Sequence, residues 1–324
     1  MADGAGRWYN ARGLVGRTPG PGSPVDDQRL SHLERELDNL ADIFRRLRPR
    51  SAGVETAGFE IFGETRYLNQ TAGGDHVLYV DFEGRYDMQG LVSRARRAGK
   101  EDIVRELERN RGRVGVLVAD ASGHGATDAL VVAMLHQAFL TGVLYELDDF
   151  GGVTPRLFEH LNTRFFNSFA VDRFITLIYG EIALDGTFRF VNAGHPLPLV
   201  FSAEFDRFVP VAAERMVRFF PLGMFPSSCG QVQERWQRDA PVTKARYSVN
   251  ELHLLSPGDV LLLFTDGFAE LASRDESFLT HRLEKVMREA RGRSARSVFD
   301  MIMAAAIGFV EPDDDLSLVV IRRR

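Results

Sequence analysis

The sequence has 324 residues, 44% of them hydrophobic and 26% charged, which is ordinary globular usage and enough for a large core. A net charge of −5 speaks against a chain built to coat nucleic acid or anionic lipid; no apolar run approaches the ~20 residues that span a bilayer, and no signal peptide opens it. The single cysteine, Cys229, excludes an internal disulfide and the two-cysteine zinc motifs, so a soluble protein of a reducing cytoplasm is expected, with Cys229 a loop bystander.

Residues 1–25 are rich in Gly and Pro with little to bury, and read as a disordered leader. Over 26–50, Leu30, Leu33, Leu37, Leu40, Phe44 and Leu47 fall at alternating steps of three and four, an a/d seam on a helix that Pro49 ends. The run covers about two and a half heptads, short of a firm coiled coil. Two readings stay open for this linker helix: it packs on its own domain, or it dimerises or receives an upstream activator.

Apolar and alternating runs predict strands near 57–63, 76–82, 113–119, 174–183, 187–192, 197–201, 249–254, 259–264 and 316–322. Leu184-Asp185-Gly186 closes a hairpin. Helical spacing is strong at 125–147, 153–168, 278–291 and 295–309, the last with Ser294 as N-cap. Hairpins and helices in separate blocks predict α+β, with antiparallel sheets covered by helices. Residues 86–112, charged and helix-prone, and 224–247, with Pro226, Gly230 and Pro241, read as insertions, the second as a surface flap.

Four acidic sites share one form, a carboxylate at the end of an apolar strand beside glycine or a second acid. They are Gly73-Gly74-Asp75, Asp120 followed by Ala121-Ser122-Gly123-His124-Gly125, Thr265-Asp266-Gly267, and Asp313-Asp314-Asp315. One such acid caps a helix or turns a loop more often than not. Several brought together repel one another and raise each other's pKa unless a cation neutralises them. Carboxylates without Cys or His partners suit Mg²⁺ or Mn²⁺ rather than zinc. His124 and His195 sit beside glycines, and a hydrogen-bonding structural role is expected for both. Ser122 is not a hydrolase nucleophile, since Gly-x-Ser-x-Gly is absent. Gly73-Gly74-Asp75-His76 matches a GGDEF cyclase loop only weakly, because the acid after Asp is missing.

The ordered series is more specific. It runs Gly73-Gly74-Asp75, Asp120-Ala-Ser-Gly-His-Gly125, Leu161-Asn162, Phe174-Ile-Thr-Leu-Ile-Tyr-Gly180, Asn192-Ala-Gly-His-Pro196, Pro221-Leu-Gly223, Ser256-Pro-Gly-Asp259, Thr265-Asp-Gly267 and Asp314-Asp315-Leu-Ser317. In this it resembles the bacterial SpoIIE/RsbU-like branch of the metal-dependent PPM (protein phosphatase 2C-type) serine/threonine phosphatases. The resemblance implies a phosphatase domain over 51–324, built as an αββα four-layer sandwich of two antiparallel β-sheets flanked by helices. It implies that Asp75, Asp120, Asp266, Asp314 and the carbonyl of Ala121 hold two Mn²⁺ or Mg²⁺ ions. Asp120 and Asp266 then act through water the ions activate, with no covalent phosphoenzyme. The implied partner is a phosphorylated STAS-domain protein (an anti-anti-sigma factor), and no nucleic acid or membrane is expected. The family places a further Asp three residues after Asp75, where this chain has Leu78. That departure and the two insertions motivate an alternative: a catalytically weakened phosphatase fold serving as a binding module in a partner-switching pathway.

Overall fold

The computed structural model describes residues 24–47, 53–56, 58–68, 72–123, 125–168, 173–227, 245–253, 256–273 and 276–324. Nearly all of the expected leader, Pro49, His124, Cys229 and most of the 224–247 segment lie outside the described residues. Contacts divide the chain into one unit ending at Ile43 and a second running Phe44–Arg324. The linker seam forms helix α1, Pro24–Leu47, as its spacing predicts. Along it Leu30, Leu33 and Ile43 are more than half exposed, while Phe44 is buried.

The second unit opens with β1 (Val54–Glu55), β2 (Phe59–Arg66) and β3 (Asp75–Asp81). Three helices follow, α2 (Phe82–Arg85), α3 (Met88–Arg97) and α4 (Glu101–Arg109), then β4 (Val114–Ala121). The helical pair α5 (Ala126–Phe150) and α6 (Pro155–Ser168) leads into β5 (Ile175–Ile182), β6 (Thr187–Ala193), β7 (Leu199–Ser202) and β8 (Arg207–Val209). Next come β9 (Asn250–His253), β10 (Val260–Phe264), α7 (Asp266–Ala269), β11 (Ala272–Ser273) and β12 (Glu276–Ser277). The chain ends with α8 (Phe278–His281), α9 (Leu283–Glu289), α10 (Ala295–Ile307) and β13 (Leu316–Arg323).

Two antiparallel sheets carry the domain. One has the order β3-β4-β5-β6-β9 and the other β1-β2-β13-β10-β7-β8. Strand alternation decides what each face buries. Val77, Tyr79, Val116, Val118 and Ile178 of the first sheet meet Ile61, Leu261, Leu263, Val319 and Ile321 of the second. The opposite face of the first sheet, with Leu78, Val80, Leu117 and Leu177, packs under α3, α4, α5 and α6. The outer face of the second, with Leu262, Phe264, Leu318 and Val320, packs under α8, α9 and α10. The order is helix, sheet, sheet, helix, the four-layer sandwich expected. Each fully buried Phe or Leu here contributes about 1.5–3 kcal/mol.

Residues 86–112 are helical, as their sequence suggests: Met88, Leu91, Val92 and Ala95 of α3 and Val104 and Leu107 of α4 belong to the helix–sheet core, and the charges occupy the outer faces. One expectation changes: among the described residues one helix, Thr127–Phe150, is long and apolar enough to cross a membrane by length and composition. Val132, Leu135, Phe139, Val143 and Leu147 of that helix are buried over the first sheet, which accounts for much of its apolar character.

Candidate metal centre

At one end of the layer between the sheets, the inward-facing apolar positions give way to polar ones. Two residues beyond Leu263 comes Thr265, two before Val319 comes Ser317, two before Val77 comes Asp75, and two beyond Val118 comes Asp120. Each keeps the inward direction of its strand. Asp75 and Asp120 are direct register partners across β3 and β4. Asp120 pairs in turn with Thr176 of β5. From the facing sheet, Asp266 follows β10 and Asp314 and Asp315 precede β13, two strands that are themselves paired.

The environment explains why these acids stand there. Asp75 and Asp315 are 2% exposed, and Asp120, Asp266 and Asp314 are half-buried. Thr265 donates its hydroxyl to Asp75 Oδ2 at 2.7 Å and accepts from Ser317 N at 3.1 Å, tying the sheets together. Ser317 Oγ lies 2.6 Å from Thr65 Oγ1. Burial, then the charges of Asp120 and Asp315, push the Asp75 carboxyl well above its ordinary range. Burial, then Asp266, Asp314, Asp315 and Asp128, push Asp120 up to about 8. Asp266 is raised by burial and Asp314, and Asp315 chiefly by burial. Burial leads each of these shifts, and the mutual repulsion of gathered carboxylates adds to it.

The loop joining β2 to β3 closes against the same acids. Asp315 accepts the backbone N–H of Leu68 at 2.8 Å and of Asp75 at 3.4 Å. A Cβ on Gly73 would lie 1.7 Å from Asp315 Oδ2. A Cβ on Gly74 would lie 2.1 Å from Gly123 O, 2.5 Å from Ala121 O and 3.3 Å from Asp120 Oδ1. Only glycine fits among those three oxygens, and they include the Ala121 carbonyl anticipated as a ligand. Ala121 N–H donates to Gly74 O at 2.9 Å, which fixes the approach.

All donors in this basin are oxygens, several are carboxylates held at raised pKa, and a cation would relieve both burial and repulsion. The set fits a hard divalent ion such as Mg²⁺ or Mn²⁺. Among the described residues no three acidic, histidine or cysteine side chains already surround one point at ligand distance. The acids form a basin, and their side chains would turn inward to close on an ion. A hollow of about 830 Å³ lies elsewhere, beside Arg282, Lys285, Glu289 and Phe309. Chemistry, not volume, marks the site.

Other residues on these strands and motifs sort clearly. Asp81 lies at the far end of β3 and caps α2 by accepting Gly84 N–H at 3.0 Å. Leu78 lies on the helix-facing side of β3, 2% exposed among Val80 and Leu117. His195 is fully buried, its Nδ1 2.9 Å from Thr176 Oγ1 and its backbone bracketed by Asn192. Its Nε2 turns toward the Phe264 backbone without meeting a hydrogen-bond partner, and burial lowers its pKa to about 3. That is the structural role expected of it. The motifs Leu161-Asn162 and Pro221-Leu-Gly223 meet: Asn162, on α6, accepts Gly223 N–H and donates to Phe225 O and Ser227 Oγ.

Sequence reasoning passed over Asp315, Thr265, Ser317 and Thr65 as parts of the site, although the inward alternation of β2, β10 and β13, carried to and just beyond their ends, points to all four. It also missed His76 and His136, whose rings meet on the helix side of β3 with Nε2 and Nδ1 2.9 Å apart. Burial holds both neutral, at about 3 and about 4.

The family model described as Stage II sporulation protein E (SpoIIE) matches residues 110–324, two thirds of the chain. The chain belongs to the SpoIIE family. One relative is the phosphoserine phosphatase RsbU of Bacillus subtilis (strain 168), 23% identical over 214 residues, which are 65% of this chain and 56% of RsbU. Another is the phosphoserine phosphatase RsbP of the same organism, 34% identical over 85 residues, 26% of this chain and 21% of RsbP. The chain thus aligns with little more than half of the first and a fifth of the second. Among solved structures, the SiaA-PP2C domain of Pseudomonas aeruginosa superposes with a TM-score of 0.60 at 15% identity, covering 91% of this chain and 98% of that one. The PP2C phosphatase domain of SpoIIE from Bacillus subtilis gives 0.52 at 14%, covering 83% and 65%. These likenesses establish the sandwich fold for this SpoIIE-family chain.

Proposed function

We propose that this chain is a divalent-metal-dependent serine/threonine protein phosphatase. The observation that carries the reading is the pairing of Asp75 with Asp120 across neighbouring strands, facing Asp266 and Asp314 from the opposite sheet. Asp75, Asp120, Asp266, Asp314 and the Ala121 carbonyl would hold the ions, two in number. When bound, such ions supply activation of water and neutralisation of phosphoryl charge for hydrolysis of a phosphomonoester. The chain's own residues supply the frame: Thr265 orients Asp75, Asp315 clamps the glycine loop, and Gly74 admits backbone oxygens to the basin. RsbU and RsbP, named phosphoserine phosphatases, support the chemistry. A regulatory protein phosphorylated on serine, of the STAS-domain class, is the substrate we infer, and the cytoplasm the setting.

Phosphate release from p-nitrophenyl phosphate and from a phosphoserine peptide, measured with Mn²⁺, Mg²⁺ or EDTA, tests the reading. Turnover should need the ion and fall at least about a hundredfold in Asp120→Asn, as removal of a group central to catalysis does. Activity that survives both EDTA and that substitution would refute it. The rival reading as a silent binding module rested on Leu78 and on the two insertions. In the observed register the Leu78 side chain points away from the basin, which weakens the first of these grounds.

A further inference from the structure

A cation stands beside the turn that follows Asp120 and Ala121. Arg173 precedes β5, and its neighbour Phe174 is bonded to Ser122: Ser122 N–H donates to Phe174 O at 3.1 Å, and Phe174 N–H to Ser122 Oγ at 3.4 Å. Arg173 therefore sits one strand spacing from the turn that follows Asp120 and Ala121. Its Nη1 forms an ion pair with Asp128 Oδ1, and its Nη2 lies 3.5 Å from Thr127 Oγ1. Asp128, in the first turn of α5, accepts Gly125 N–H at 3.1 Å through its other oxygen. That oxygen lies 2.6 Å from where a Cβ on Gly123 would stand, and the Gly123 carbonyl is one of the three oxygens around Gly74. A short run of contacts thus links the guanidinium to the glycine next to Asp75.

Resting on the phosphatase reading, we infer that Arg173 binds the phosphoryl oxygens of the incoming substrate, with Asp128 holding the guanidinium in position. The two partners differ in exposure: the Arg173 side chain is 37% exposed and that of Asp128 9%. A half-exposed pair adds little stability, but it leaves a planar fork of further N–H donors facing out. Such a fork matches phosphate oxygens two at a time. Asp75, Asp120, Asp128, Asp266, Asp314 and Asp315 carry more negative charge when ionised than two divalent ions offset, and Arg173, paired with Asp128, reduces the repulsion a phosphomonoester dianion meets. Arg173 binds the phosphoryl group alike before and during reaction, and its loss should appear in KM rather than kcat.

Full-length Arg173→Gln and Arg173→Lys, with p-nitrophenyl phosphate as substrate and inorganic phosphate as inhibitor, test the inference. In Arg173→Gln, KM and the phosphate inhibition constant should both rise about ten- to hundredfold, the worth of one or two charge-assisted hydrogen bonds. kcat should stay within about threefold, and Lys should recover only part, because a point charge lacks the fork. Unchanged KM and phosphate inhibition in an active Arg173→Gln protein would overturn the proposal and leave the phosphatase reading intact. A loss confined to kcat and melting temperature, fully restored by Lys, would assign Arg173 to structure and also overturn it. Failure of the unsubstituted chain to hydrolyse the ester with either metal would instead overturn the reading beneath.

Discussion

Replacing Gly74 with alanine asks how tightly the acidic edge is built. The new methyl would press on two backbone carbonyls that cannot swing aside, so a loss of about 3 kcal/mol and of metal-dependent turnover is expected, read by urea unfolding and phosphate release. Near-normal stability would mean that the loop relaxes freely. Leu78→Asp tests the family departure from the other side. The acid would enter the apolar layer under the helices, and a cost on the order of 3 kcal/mol with no gain in metal affinity is expected in calorimetry. Tighter metal binding would show that the register can shift. The basin acids also set a pH dependence. Folded Asp120 titrates near 8 against 3.8 for an ordinary carboxyl, so between those values the folded state holds more protons than the unfolded. Metal-free stability therefore falls as pH rises from about 4 to about 8, by at most about 1.4 kcal/mol per unit for each such group. Stabilisation by Mn²⁺ over EDTA, measured by thermal melting, should be larger at pH 8 than at pH 6; equal shifts would contradict the assignment.

At the scale of elements, α6 anchors one side of the domain through two polar residues. Asn162 holds Gly223, Phe225 and Ser227, while Glu159 accepts Ser227 Oγ and Tyr247 N–H at 2.6 Å each. Ser227 and Tyr247, far apart in sequence, are thus pinned to one turn of helix. Asn162→Ala would leave buried partners unsatisfied and should cost about 2–3 kcal/mol in urea unfolding; a change below about 0.5 kcal/mol would show that solvent reaches them. The motifs at 161–162 and 221–223 were visible in the sequence, but their meeting was not, because nothing local encodes an approach across sixty residues. The long strands were legible because alternation survives in them, whereas β1, β8, β11 and β12, two or three residues each, offer no period to read. The charges of α3 and α4 marked a helix-prone insertion, while the helical spacing of Met88, Leu91, Val92 and Ala95, which gives it a buried face, went unread. Of the paired acids, Asp315 keeps the inward parity of Ser317 and Val319, whereas the place of Asp314, two residues before β13, is set by the turn and not by alternation.

For the whole molecule, the two exposed leucines early in the seam of α1 are the feature that invites a second chain. Leu30 and Leu33 are 57% and 60% exposed on a helix whose spacing suits a coiled coil. Leu30→Glu with Leu33→Glu should reduce the mass measured by light scattering to that of a monomer while leaving folding of the sandwich unchanged; a mass unaffected by both would remove the dimer reading. The acidic edge has a mechanical consequence as well. Its carboxylates come from β3 and β4 on one sheet and from the ends of β10 and β13 on the other, so an ion seated among them is a rivet driven through both layers. Withdrawing it frees the sheets to shear at that end while the apolar layer still grips the rest. Metal occupancy would then be written into the protein as stiffness, graded from the riveted end to the distant one. Amide hydrogen exchange should register this with chelator present, faster at Thr265 and Ser317 and unaltered at Val260 and Arg322, the opposite ends of the same paired strands.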